Sequence, residues 1–208
     1  MEKIFDLSTS YKHFQNLCSA IECAYMSDNK FNFCPNCGGK NIEYRNGKKW
    51  FCPDCQFDLY NNVASATGAV IYDSNNTVLF EVRAKNPRKG FLALPGGFTD
   101  RDETAEEAVV RECAEETGYK ISEVKYLCSF PNDYEYRGIA YKTCDLFFAV
   151  KLPDGTSVQE LIKQLSNEKS EVVSFEAHKI ESEADVENLP LAFSSANKAL
   201  KKWLSEKA

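Results

Sequence analysis

The sequence has no excess of positive charge: 25 lysines and arginines stand against 31 aspartates and glutamates in 208 residues, a net charge of −6. A chain with that balance has no electrostatic footprint for DNA or RNA. A phosphorylated small molecule would need a metal ion to supply the positive charge. No apolar run is long enough to cross a bilayer, so no membrane partner is expected. The opening stretch, MEKIFDLSTSYKHFQ, lacks a basic region followed by an apolar one, and no secretory signal is expected there. The cysteines number nine, an odd count, and four of them sit in two CxxC pairs. That usage suits a reducing cytoplasm better than a disulfide framework. Internal repeats and low-complexity stretches are also lacking.

What is there divides into three parts. Residues 1–30 read as a helical leader, with Ile4, Phe14, Leu17, Ile21 and Tyr25 at roughly helical intervals. Residues 31–61 are rich in Cys, Gly, Asn and aromatics and nearly free of aliphatic side chains, so they need a staple in place of a core. Residues 62–208 carry the alternations of an α/β (α+β) domain. TGAVIYD and TVLFEVRA flank SNN as a hairpin, and FLAL is a short strand leading into two glycines. VKYLCSF, IAYKTCDLFFAVKL and EVVSFEAH read as further strands, with helices in SVQELIKQL and SANKALKKWLSEK.

Cys34, Cys37, Cys52 and Cys55 form C-x2-C-x14-C-x2-C. Each pair makes a tight knuckle, and CPNCGG supplies a Pro to start the turn and a Gly to bring backbone N–H groups near the thiolates. Four thiolates suit a closed structural Zn²⁺ site, which would make this segment a zinc ribbon. A redox dithiol would not need two paired knuckles; an iron centre would have the same geometry. Lys40, Arg45, Lys48 and Lys49 are nearly cancelled by Glu43, Asp54 and Asp58, which argues against nucleic acid as a partner.

The stretch LPGGFTDRDETAEEAVVRECAEETGY raises a physical problem. Glu112, Glu115 and Glu116 fall within about 100° on one helical face, where like charges repel. Three such carboxylates invite a hard divalent cation, Mg²⁺ or Mn²⁺. Arg111 can bond to Glu103 or Glu115 and fix its orientation, while Gly96 and Gly97 let the preceding loop fold tightly. Asp100, Asp102 or Thr104 would cap the helix. A solvated acidic face would usually interleave lysines at i+4, yet Arg101 and Arg111 are the only cations from Asp100 to Thr117.

Gly97, Glu103 and RECAEETGY are similar to the Nudix box, G-x5-E-x7-R-E-U-x-E-E-x-G-U, where U is bulky and apolar. Gly97, Glu103, Arg111, Glu112, Glu115, Glu116 and Gly118 match its fixed positions, with Cys113 and Tyr119 as mild departures at two U positions. The resemblance implies an α/β/α sandwich with a mixed sheet over about residues 62–208. It also implies metal-dependent hydrolysis of a nucleoside diphosphate linked to another moiety, giving two monophosphates. A ribbon directly before such a domain resembles the NADH pyrophosphatase branch.

Carried over from that resemblance, Glu112 and Glu116 are the principal metal ligands, joined by Glu115 and by the carbonyl of Gly96 or Gly97. Glu103 and Arg111 support them, and the general base is Glu112 or a downstream residue, here Glu171. Arg83 is a candidate phosphate contact. The branch's downstream signature, S-Q-P-W-P-F-P-x-S, is matched in SFPNDYEYRGIAYKT only at Ser129 and Pro131. Tyr134, Tyr136 and Tyr141 from that stretch could stack on a nucleobase. The expected substrate is therefore ADP-ribose or a related nucleotide sugar or dinucleotide. The alternatives are an NADH/NAD pyrophosphatase and, from another class, a non-catalytic nucleotide sensor or ribbon-mediated nucleic-acid-binding protein. The sequence leaves a homodimer open.

Overall fold

A computed structural model describes residues 31–137, 139–165 and 171–207; the helical leader expected over residues 1–30 lies outside them. The chain separates into two compact units that meet between Asn61 and Asn62.

The first unit contains an antiparallel three-stranded sheet, β1 (Glu43–Arg45), β2 (Lys49–Cys52) and β3 (Phe57–Tyr60), in the order β1-β2-β3. Asn46 and Gly47 turn β1 into β2 with φ values of 56° and 65°. An Asn-Gly pair suits such a turn because both central residues need positive φ. Trp50 is buried and packs against Phe31 and Tyr44, with ring centroids 4.7 and 4.8 Å away. These three rings stand where a larger domain would have aliphatic layers.

The second unit is built on a six-stranded mixed sheet. Its strands are β4 (Ala64–Tyr72), β5 (Thr77–Arg83), β6 (Leu92–Ala93), β7 (Lys125–Tyr136), β8 (Ile139–Lys151) and β9 (Val172–Lys179). The order is β6-β5-β4-β8-β7, with β9 pairing along β5; β4 and β8 run parallel and the other pairs are antiparallel. Alternation along the strands sends side chains to two cores. Ala69, Ile71, Leu79, Phe148 and Val150 meet Val109 and Cys113 of α1 (Ala105–Thr117) and Val158 and Leu161 of α2 (Val158–Ile162). On the opposite face Val70, Val78, Phe80 and Phe147 meet Val186 of α3 (Glu183–Glu187) and Ala196, Ala199, Leu200 and Trp203 of α4 (Ser194–Ser205). The result is the α/β/α sandwich expected from the sequence.

The structure refines the sequence reading at several points. The proposed β4–β5 hairpin pairs directly only at Tyr72 and Val78, because the strands then diverge and Leu92–Thr99 fills the wedge. Leu92 and Ala93 pair with β5, while the carbonyls of Pro95 and Gly97 accept hydrogen bonds from Ala69 and Thr67 of β4. The cap of α1 is Thr104 rather than Asp100 or Asp102. Thr104 Oγ1 accepts from Glu107 N–H, and the Glu107 carboxylate accepts from Thr104 N–H in return. That reciprocal pair satisfies two otherwise orphaned donors. Gly118 ends the helix at φ 74°, a left-handed C-terminal position that glycine adopts without strain. The helix read in SVQELIKQL extends only over Val158–Ile162, and α3 was not read from the sequence.

Candidate active site

The wedge places Gly96 and Gly97 against the carboxylate face of α1, Gly97 beside Glu112 and Gly96 beside Glu116 in the last turn. A Cβ on Gly96 would lie 2.1 Å from the Thr67 carbonyl oxygen, and one on Gly97 would lie 2.7 Å from the Glu112 carboxyl group. The approach at Gly96, against backbone, requires glycine, while at Gly97 a side chain would displace the Glu112 carboxyl group. Gly96 N–H donates to Glu116 Oε2 at 2.8 Å, and Gly97 O accepts from Thr67 N–H at 2.7 Å.

Arg111 is the organising cation. Its Nε and Nη2 donate to the two oxygens of Glu103 at 3.1 and 2.5 Å, its Nη1 donates to Glu112 Oε1 at 2.8 Å, and Nη2 also reaches Phe98 O at 3.0 Å. This fork fixes the Glu112 carboxylate in a way that a point charge could not. The guanidinium holds Glu103 below the usual carboxylate range. Glu115 lies 3.8 Å from Arg111 Nη1 and is more exposed than Glu112, so the partners Arg111 grips closely are Glu103 and Glu112.

Glu116 is buried, and burial pushes its carboxyl up to about 7. Beside it lies a residue that the sequence reading missed. Glu81 of β5 is 3% exposed, hydrogen-bonds to Glu116, and has an Oε2 with no hydrogen-bond partner. Burial and then the Glu116 charge push Glu81 well above the ordinary range, as expected for adjacent buried carboxylates. The available signal was a single acidic residue in phase with the buried Leu79. Glu112 is also pushed up, chiefly by burial. These buried oxygen donors, one of them orphaned, and the cradle that a Cβ on Gly97 would fill, fit a hard divalent cation such as Mg²⁺ or Mn²⁺.

A cavity of about 300 Å³ opens beside these groups and is lined by Gly96, Gly97, Glu112 and Glu116, with Arg83, Tyr134 and Glu171 among the other sequence candidates. Its size is that of a small-molecule site. Glu171 pairs with Lys85 at 2.9 Å and is close enough for its charge to raise Glu112 and Glu116. Arg83 donates from Nε to Pro87 O and lies over the Phe193 ring, 5.1 Å from its centroid. Tyr134 packs between Phe98 and Phe193, at 5.3 and 5.7 Å. The sequence reading missed both of those phenylalanines, which also line the cavity. Tyr136 and Tyr141 are not among the lining residues: both are exposed. They lie on the outer part of the β7–β8 pair, where Tyr141 faces Tyr134 across the strands and Tyr136 faces Ile139.

In the first unit Cys34 Sγ lies 3.7 Å from Cys55 Sγ and Cys37 Sγ lies 3.8 Å from Cys52 Sγ, and all four sulfurs fall within 4.8 Å of one another. A tetrahedral ion with Zn–S bonds of about 2.3 Å needs sulfurs about 3.8 Å apart, a spacing shown by the Cys34–Cys55 and Cys37–Cys52 pairs. Asn36 Nδ2 and Gly39 N–H donate to Cys55 and Cys37 Sγ. The Asn36 hydrogen bond is the largest influence holding Cys55 down to about 7.

Comparison with known proteins extends this picture. The NUDIX domain model matches residues 63–197. The NAD-capped RNA hydrolase NudC of Vibrio atlanticus is 32% identical over 114 residues, covering 54% of this chain and 40% of that protein. An ADP-ribose pyrophosphatase of Methanocaldococcus jannaschii is 49% identical over 72 residues, covering 35% of this chain and 41% of that protein. The chain thus spans less than half the length of these curated relatives. The crystal structure of a NUDIX hydrolase from Nitrosomonas europaea superposes with a TM-score of 0.57 at 22% identity, over 85% of this chain and 92% of that one, a likeness of fold.

Proposed function

Because the chain belongs to the NUDIX family, we propose that it is a metal-dependent hydrolase of the pyrophosphate bond in a nucleoside diphosphate linked to another moiety, with ADP-ribose as the preferred type of substrate. The observation that carries this reading is the cavity itself. Its lining combines the carboxylates Glu112 and Glu116 with the aromatic rings of Phe98, Tyr134 and Phe193. Carrying a divalent cation, the carboxylates would suit a diphosphate, and the rings suit a nucleobase.

Glu112, Glu116 and Glu115, with the Gly97 carbonyl, would hold Mg²⁺ or Mn²⁺. The bound cation supplies neutralisation of the diphosphate and a water of lowered pKa. Arg111, braced by Glu103, keeps the Glu112 carboxylate oriented. Arg83 reaches the cavity as a phosphate contact. Glu171, which also lines the cavity, would take a proton from the attacking water, with Glu112 as the alternative base. Water adds to one phosphorus, the bridging oxygen leaves with the other, and two monophosphates result.

A second reading, an NADH/NAD pyrophosphatase, is supported by the similarity to NAD-capped RNA hydrolases. Two of the branch's signature residues, Ser129 and Pro131, also occur on β7. Comparing kcat/KM for ADP-ribose, NADH, NAD, FAD, diadenosine polyphosphates and nucleoside triphosphates separates the two. Higher kcat/KM for ADP-ribose than for NADH is expected; a tenfold preference for NADH would favour the second reading.

The quartet would hold one Zn²⁺ as a structural staple, and cysteine usage of this kind would suit a reducing compartment such as the cytoplasm. All seven described cysteines are free. Elemental analysis should find about one zinc per chain. Cys34→Ser should lose it and lower the melting temperature of the ribbon, since metal binding and folding are coupled in small ribbons. A metal-free ribbon that melts like the parent would contradict the assignment.

A further inference from the structure

Three residues outside the box line the same cavity: Thr143 and Asp145 on β8, and Ser195 in the first turn of α4. They are 2%, 8% and 1% exposed. Thr143 Oγ1 donates to Asp145 Oδ1, and Ser195 Oγ donates to Asp145 Oδ2, both at 2.6 Å. Both carboxylate oxygens are therefore held by hydroxyls.

The chemistry of this cluster is one-sided. A carboxylate has about four lone-pair sites, of which two are used here. Each hydroxyl has given its hydrogen to Asp145 and has only lone pairs left to offer. The side chains of the cluster therefore accept hydrogen bonds and offer none, in surroundings where an unpaired polar group is costly. It would repel a phosphate and favour an N–H donor.

The aromatic rings adjoin it. Phe193 precedes Ser195 by two residues, and Asn132, which faces Thr143 across β7 and β8, is two residues from Tyr134. Asp145 itself pairs with Phe130, four residues along β7 from Tyr134, so Phe193, beside Ser195, is the ring on which a stacked base would bring its edge to Asp145. We propose that Asp145, fixed by Thr143 and Ser195, is the specificity-determining acceptor for the exocyclic amino group of a purine. This rests on the nucleotide reading of the cavity given above. It goes further in assigning which half of the substrate lies against β8 and what chemical feature is read there.

The test compares ADP-ribose with its analogue carrying hydrogen in place of the 6-amino group, with kcat and KM measured separately. The parent should prefer ADP-ribose by about tenfold or more in kcat/KM, mainly through KM, because a site built around a hydrogen bond rejects a ligand that lacks it. Asp145→Asn, which puts an NH₂ group where an acceptor stood, should bring that ratio towards one. Ser195→Ala, which loosens Asp145 without removing it, should give an intermediate ratio. Equal use of the two substrates by the parent would overturn the proposal. So would an Asp145→Asn variant that loses both activities in proportion and keeps the ratio, as a merely structural link between β8 and α4 would. Calorimetric binding of AMP and of its analogue without the amino group reads the same ratio without turnover. Absence of hydrolysis therefore counts against the proposed function, while absence of the ratio counts against the role of Asp145.

Discussion

Glu112→Gln and Glu116→Gln should each lower Mg²⁺-dependent turnover by about a hundredfold or more, with the melting temperature unchanged or raised. The expected loss follows from what a hard cation contributes to phosphoryl chemistry, several kcal/mol of charge stabilisation at about 1.4 kcal/mol per tenfold in rate. An amide cannot replace a charged oxygen ligand in that role. The stability expectation has the opposite sign. Burial pushes Glu112 upward and Glu116 to about 7, so folding works against their charged forms. Glutamine keeps the shape and, at Glu116, keeps an oxygen to accept from Gly96 N–H. It removes the like charge that Glu81 and Glu116 impose on each other. Parallel rate and melting measurements across a Mg²⁺ and Mn²⁺ titration decide the matter. Near-parental turnover in both variants would remove these two residues from the metal site.

The two glycines should separate stability from activity. At Gly96 a Cβ meets backbone, the Thr67 carbonyl oxygen at 2.1 Å and the Gly68 Cα at 2.8 Å. Neither can move without parting β4 from the wedge, and φ 146° is itself unfavourable for a side chain. Gly96→Ala should therefore cost about 3 kcal/mol or more, in the range reserved for backbone strain and overpacking. At Gly97 the obstacle is the end of a flexible side chain, the Glu112 carboxyl group at 2.7 Å. Gly97→Ala should fold nearly as well as the parent, because Glu112 can turn away, but that motion breaks its hydrogen bond to Arg111 and withdraws a metal ligand. Turnover should fall at least tenfold, as it does when the orientation of a ligand is lost. Denaturant titration and initial rates on the two variants give the comparison. Equal stability losses in both would mean that the wedge is not packed as described.

The parts of this site legible in the sequence are those written on a single element. Arg111, Glu112, Glu115 and Glu116 could be placed because α1 fixes their spacing, Glu103 because it directly precedes the cap of that helix, and the cysteine quartet because each knuckle is a short local turn. What escaped depends on contacts between distant segments. Glu81 reads as an ordinary strand residue until β5 is set under α1, and Asp145 until α4 brings Ser195 to it across 50 residues. The wedge of Leu92–Thr99 escaped for the same reason, since its partners lie on two strands that sequence alone pairs with each other. Tyr134, Tyr136 and Tyr141 shared one argument in the sequence. Contacts from distant segments distinguish them: Phe98 and Phe193 pack on Tyr134, while Tyr136 and its neighbour Tyr141 stay exposed.

The central claim is that the carboxylate face of α1 directs water at a diphosphate bridge. Its most direct test is product analysis after incubation of the full chain with ADP-ribose and Mg²⁺ in ¹⁸O-labelled water. The account predicts AMP and ribose 5-phosphate in equal amounts, one ¹⁸O in one of the two monophosphates per turnover, no inorganic phosphate, and no reaction when the divalent cation is chelated. Release of inorganic phosphate, or cleavage that continues undiminished without a divalent cation, would contradict it.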